Sequence, residues 1–141
     1  MAAVAAGTPE PPVYRPSASD LMTAGIQPRH IKLWLAGKNR NWDFAEYERH
    51  NIGGAFARLA AAIPVDNGTA FTDLIAAFVT PQLAALETAI KAKDDAAFTQ
   101  AYAELTAGCN GCHQTTGHGT VVIKVPDGAP YPDQDFSAPV R

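Results

Sequence analysis

Residues 105–118 read L-T-A-G-C-N-G-C-H-Q-T-T-G-H and hold both cysteines of the 141-residue chain. Cys109 and Cys112 stand three apart, and His113 follows the second directly. Four chemistries use such a pair: a disulfide, a redox dithiol, half of a zinc site, and thioether attachment of a haem. A disulfide closing so short a loop adds little stability. A redox dithiol sits at a helix start, where the dipole lowers the thiol pKa, whereas this pair closes the end of a helical pattern. Zinc needs two further ligands, and of the nearby side chains only His113 and His118 qualify; adjacent Cys112 and His113 converge poorly on one ion. The C-x-x-C-H pattern supplies what haem attachment requires: two thiols about one helical turn apart for the two vinyl groups, and an imidazole beside the second thiol to ligate iron. The pattern selects one covalent haem c, with Cys109 and Cys112 as thioethers and His113 as the proximal iron ligand.

Helices must position these residues. From Ser19 to about Gly108 apolar residues recur at spacings of three and four, which predicts helix throughout. A first helix over residues 19–36 starts at Ser19 or Asp20 and stops at Gly37. Pro28 cannot donate to the Ala24 carbonyl, so a kink or a fresh start near Gln27 is expected. Met22, Ile26, His30 and Leu33 share one face of it. Asn41 caps a second helix over 42–63 with the stripe Ile52, Phe56, Leu59 and Ile63. Asp66-Asn67-Gly68 marks a turn, and a short apolar helix over 71–78 follows. Thr80-Pro81 reads as a capping hydroxyl and a first-turn proline, opening a third helix that buries Leu83, Leu86 and Ile90. Asp94 or Asp95 caps the fourth helix, whose stripe Phe98, Tyr102 and Leu105 runs straight into Cys109 and Cys112.

Four amphipathic helices with mostly short loops predict an all-α fold, an antiparallel four-helix bundle spanning residues 19–118. A proline-rich, extended leader over 1–18 precedes it, and an irregular tail over 119–141 packs on it. The β-branched run at 120–125 has a strand-like composition.

The run A-A-F-T-Q-A-Y-A-E-L-T-A-G-C-N-G-C-H, residues 96–113, resembles the fourth helix and haem motif of the four-helix-bundle c-type cytochromes, the cytochrome c′ and cytochrome c556 group. K-L-W-L-A-G-K-N-R-N-W-D-F-A-E-Y-E, residues 32–48, resembles that family's passage from first to second helix. The likeness covers about residues 19–118 and is specific at the cysteines. It departs from the family at Pro28 and in the tail after His118. It implies a soluble haem protein assembled in the bacterial periplasm, a redox partner protein, and a homodimer through the first two helices. Met1 to Gly7 is too short and lacks the basic start of an intact signal peptide, so a removed signal is expected.

In an antiparallel bundle the first helix begins where the fourth ends. Met22 is therefore the candidate distal iron ligand; a thioether there gives low-spin His/Met ligation suited to electron transfer, and otherwise Met22 is core filler. His30 is the rival ligand, eight residues on and about 12 Å along a straight helix. Its alternative role is a partly buried histidine bonded to a carbonyl or carboxylate. His118 and His50 read as surface residues. Phe98 and Tyr102, in the turns before the cysteines, are candidates for haem-pocket wall or core. Trp34 and Trp42 flank the turn between the first two helices and are expected to lock it. Arg29, Lys32 and Arg40 form a solvated basic face or pair with haem propionates. With no sixth ligand the iron stays open, as in the gas-binding members of the group.

The expected function is thus periplasmic electron transfer, with nitric oxide or carbon monoxide binding as the alternative. No acid–base constellation accompanies the motif, so no enzyme is expected. A net charge of −3 argues against nucleic acid, and no apolar run reaches the about 18–20 residues of a membrane span.

Overall fold

Ser17 opens the helical part of the chain. Its hydroxyl accepts from the Asp20 amide at 3.0 Å, and the Asp20 carboxylate accepts from the Ser17 amide at 3.4 Å, a capping box. The computed structural model describes residues 7–139, and from Ser17 on they are mostly helical. Helix α1 (Ala18–Leu21) passes into a π-helical turn (Met22–Ile26) and then α2 (Gln27–Lys38). α3 (Trp42–Ala62) follows, then a two-stranded antiparallel hairpin, β1 (Val65–Asp66) with β2 (Thr69–Ala70). α4 (Phe71–Phe78), α5 (Thr80–Ala92) and α6 (Asp95–Thr115) complete an all-α protein.

The expected interruption at Pro28 takes the form of the π turn. There the Gln27 amide donates to the Met22 carbonyl, five residues back, and the wider ladder just upstream of Pro28 keeps the chain helical instead of restarting it. Three boundaries differ from the sequence expectation. The first helix is capped by Ser17, not by Ser19 or Asp20, because Asp20 is the residue that completes the capping box three positions on. Gly37 does not stop the first helix: it lies inside α2, buried, and a Cβ there would stand 2.1 Å from the Phe98 ring. Glycine at 37 therefore serves close approach of α2 to α6. Thr80 caps nothing with its hydroxyl; it is the first residue of α5, and Pro81 sits in the first turn.

The other caps follow local chemistry. Asn41 Oδ1 accepts from the Phe44 amide at 3.3 Å, and Asp94 Oδ1 accepts from the Ala97 amide at 3.0 Å. Asp94→Ala is expected to lower stability by about 1 kcal/mol, read as a lower urea midpoint at unchanged m-value. Asn67 and Gly68, with φ of 49° and 80°, make the two-residue hairpin turn that their identities favour.

α2 packs on α3, α3 on α5, α5 on α6 and α2 on α6, while α4 contacts α3, α5 and α6. Leu33, Ile52, Leu59, Val79, Leu86, Phe98, Tyr102 and Leu105 are fully buried between them. α2 and α6 run antiparallel. Lys38 pairs with Asp95 at 2.9 Å, Gly37 meets Phe98, the Trp34 and Tyr102 rings lie 4.9 Å apart, and His30 bonds Thr106 at 2.9 Å. Trp34 and Trp42 both pack on Phe98, at 6.3 and 5.8 Å between ring centroids, and so hold the turn between α2 and α3.

Residues 7–15 of the leader are exposed and carry no regular structure; residues 1–6 lie outside the described residues, as do the last two of the tail. The tail crosses α2 and α3. Phe136 is buried beside Phe44 and Tyr131, and the Lys32 ammonium sits 4.6 Å from the Tyr131 ring centre. The run at 120–125 forms no strand; its backbone bonds to side chains of α6 instead. Among the described residues no single helix is long and apolar enough to cross a membrane.

Candidate functional site

The last two turns of α6 carry Cys109, Cys112 and His113, and the side of the helix that faces α4 is made of glycine. A Cβ on Gly108 would lie 2.0 Å from the Phe78 carbonyl oxygen, and one on Gly111 2.7 Å from the Phe78 ring. α4 thus presses its C-terminal end directly against the α6 backbone beside the two thiols.

Cys112 is buried, Cys109 partly so, and both are free thiols. Burial pushes the Cys109 thiol up to about 12, with the neighbouring Cys112 adding to the shift, and burial pushes Cys112 up to about 11. Both are therefore protonated at neutral pH, the opposite of the lowered pKa that makes a redox dithiol reactive.

His113 is fixed from outside the helix. Its Nδ1 lies 2.6 Å from the Val121 carbonyl oxygen. A carbonyl only accepts, so the ring proton resides on Nδ1 and the lone pair is left on Nε2. Asn110, one residue after Cys109, holds the same stretch of tail. Its Nδ2 donates to the Ile123 carbonyl and its Oδ1 accepts from the Ile123 amide, each at 2.8 Å.

The reversal between helix and tail is a Schellman close. The His118 amide donates to the His113 carbonyl and the Gly117 amide to that of Gln114, with Gly117 at φ 79°. The hairpin pins this loop from the other side: Asn67 Nδ2 donates to the Thr116 carbonyl at 3.3 Å, and His118 Nε2 lies 3.1 Å from Asp66 Oδ2. His118 is exposed and engaged there, and His50 is exposed on α3.

His30 is 3% exposed, with Nε2 2.9 Å from Thr106 Oγ1. The Thr106 hydroxyl donates to the Tyr102 carbonyl at 3.0 Å, so the His30 ring nitrogen is the donor in that pair. The Tyr102 hydroxyl closes the network on the His30 carbonyl at 2.6 Å, and the two rings pack at 4.7 Å. The partner of His30 is therefore a hydroxyl, where sequence reasoning expected a carbonyl or carboxylate. Burial holds its imidazole down at about 4, hence neutral.

Met22 is half-buried in the first position of the π turn and packs against the core. The π turn that carries Met22 packs on α3, and the antiparallel order of α2 and α6 puts it toward the end of α6 that carries the motif. Phe98 sits with Trp34 and Trp42 at the opposite end of α6. Arg29 donates to the Gly25 carbonyl, and Lys32 rests on Tyr131.

Among the described residues no three His, Cys, Asp or Glu side chains gather as a metal-binding group. Sequence reasoning missed Asn110, the Val121 carbonyl and the glycine face of α6. Only the glycines left a mark in the sequence, as two residues of poor helix propensity within a helical stripe. No protein-family model, curated protein or solved structure matches this chain.

Proposed function

We propose that the chain is a c-type cytochrome of the four-helix-bundle kind, carrying one haem on Cys109 and Cys112 with His113 as proximal ligand. In this reading the bundle consists of the continuous helix from α1 to α2, together with α3, α5 and α6. The observation that carries it is the His113 Nδ1–Val121 carbonyl bond, which leaves Nε2 with its lone pair beside two unpaired thiols. Metal-ligating histidines bind through one nitrogen and give the other N–H to such an acceptor. Bound haem supplies a one-electron iron couple whose potential follows its axial ligands and their hydrogen bonds.

The chain's own residues then do three things. Val121 and the Schellman loop hold the imidazole in one tautomer and orientation. The glycine face of α6 lets α4 close one side of the site. Met22, in the π turn, is the side chain we assign to the distal position. His30 fits that role poorly, because its Nε2 is already committed to Thr106. We read the protein as an electron carrier and not an enzyme: His113 and Tyr102, the titratable side chains next to the cysteines, are each held by a backbone carbonyl. In this reading covalent attachment implies assembly in the bacterial periplasm, with a redox protein as partner. A homodimer through α2 and α3 is carried by the family resemblance alone, and Tyr131 and Phe136 occupy part of that surface.

The test is expression with a haem-attachment system, followed by denaturing mass measurement and absorption spectra with and without carbon monoxide. Wild-type protein is expected to keep haem mass after denaturation, and Cys109→Ala with Cys112→Ala to lose it. A low-spin spectrum unmoved by carbon monoxide, turning high-spin in Met22→Ala, supports the carrier. A high-spin wild type that binds carbon monoxide at once replaces electron transfer with gas binding. A colourless protein ends both.

A further inference from the structure

The C-terminal tail bonds to α6 at two points, and both fall inside the C-N-G-C-H motif. Asn110 presents its amide to Ile123 as a strand would present its backbone, with one bond given and one received at 2.8 Å. Two residues earlier along the tail, the Val121 carbonyl takes the His113 Nδ1 proton. Asn110 and His113 lie three apart on α6, about one turn, so they share the face that the tail covers. Val121 and Val122 are themselves exposed, 51% and 72%. The Val121 amide donates to the His118 carbonyl at 2.9 Å and Val125 packs against the core, so the Asn110 amide is the side-chain anchor between these two holds.

We propose that Asn110 is a positioning residue for the proximal histidine: by clamping Ile123 it keeps the Val121 carbonyl on His113 Nδ1, and the tail between them is a clip that sets the ligand's donor strength. The inference rests on the haem reading above. A carbonyl on Nδ1–H gives the imidazole partial imidazolate character, which favours the ferric over the ferrous ion. Loosening the clip weakens that donation and moves the couple toward the reduced form. The effect passes through Val121, because Asn110 itself bonds only the tail.

The clip can be opened from either side. Asn110→Ala removes both bonds at the helix, and Ile123→Pro removes the tail's donor while leaving the motif intact. In the haem-loaded protein each variant is expected to shift the equilibrium toward ferrous iron by up to about tenfold, a rise of about 59 mV for a one-electron couple. Both are also expected to speed exchange of the His113 Nδ1 proton, followed by proton NMR of the reduced protein. In the haem-free chain both should raise the rate of proteolytic cleavage after Lys124. A purely structural role would speed cleavage in both variants and leave the potential unmoved, which overturns the proposal. Equal potentials in wild type and Ile123→Pro overturn it even if Asn110→Ala fails to mature. Absence of covalent haem from the wild type removes the functional reading itself, and the role at iron with it.

Discussion

Gly108→Ala is expected to lower the stability of the fold by about 3 kcal/mol, at the upper end of what over-packing costs. The added methyl would lie 2.0 Å from the Phe78 carbonyl oxygen and 3.1 Å from its carbonyl carbon. Backbone cannot rotate out of the way as a side chain can. α4 must therefore move as a unit, and Leu74 and Val79, both buried, move with it. The disturbance reaches the site directly, since Cys109 is the next residue. Gly111→Ala should be milder, because its new methyl meets the half-buried Phe78 ring, which has room to turn. Urea unfolding with haem content measured in parallel checks both variants. A Gly108→Ala midpoint equal to wild type would show that α4 does not press on α6 there.

The second large effect is loss of stability in mild acid, and His30 is its source. Its ring is buried, so its pKa falls from the ordinary 6.5 to about 4. Between those values the unfolded chain takes up a proton that the folded chain refuses. Stability is thus full above about pH 6.5, declines as the pH falls toward 4, and stops changing on this account below it. A gap of that size corresponds to about 3 kcal/mol. Glu48 works against it. It is 5% exposed on α3, and its burial raises its carboxyl pKa, with Arg29 and Lys32 partly offsetting the rise. A raised carboxylate makes the folded chain take its proton before the unfolded one does, which adds stability just above the ordinary carboxylate range. The net decline should therefore be smaller than His30 alone would give. Unfolding free energies at pH 7, 6, 5 and 4 trace it, and His30→Gln, which keeps an N–H for Thr106, should flatten the profile. An unchanged slope in that variant would assign the acid sensitivity elsewhere.

Most of the helical framework was readable from the residues because it is made by neighbours. The Asn41 and Asp94 caps reach three residues forward, the Asn67-Gly68 turn needs only its own two positive φ values, and the span of α4 follows from a short apolar run. The C-x-x-C-H spacing is local in the same sense: once α6 is helical, the two thiols stand one turn apart whatever surrounds them.

What escaped the sequence depends on partners far along the chain. Gly37 reads as a helix stop until Phe98 is seen against it, and Gly108 reads as a weak spot in a helix until the Phe78 carbonyl occupies the space. His30 reads as a rival iron ligand or as a partly buried histidine bonded to a carbonyl or carboxylate, and only the fold supplies the Thr106 hydroxyl, 76 residues away, as its partner. The acceptor on His113 is a backbone carbonyl, which every residue possesses, so no side-chain identity at 121 announces it. The sequence by itself therefore determined most of the helices, the Asn41 and Asp94 caps and the three residues of the motif, since short-range geometry decides these. Tertiary structure alone decided which nitrogen of His113 stays free and which glycines are indispensable, because those follow from surfaces that meet only after the chain has folded.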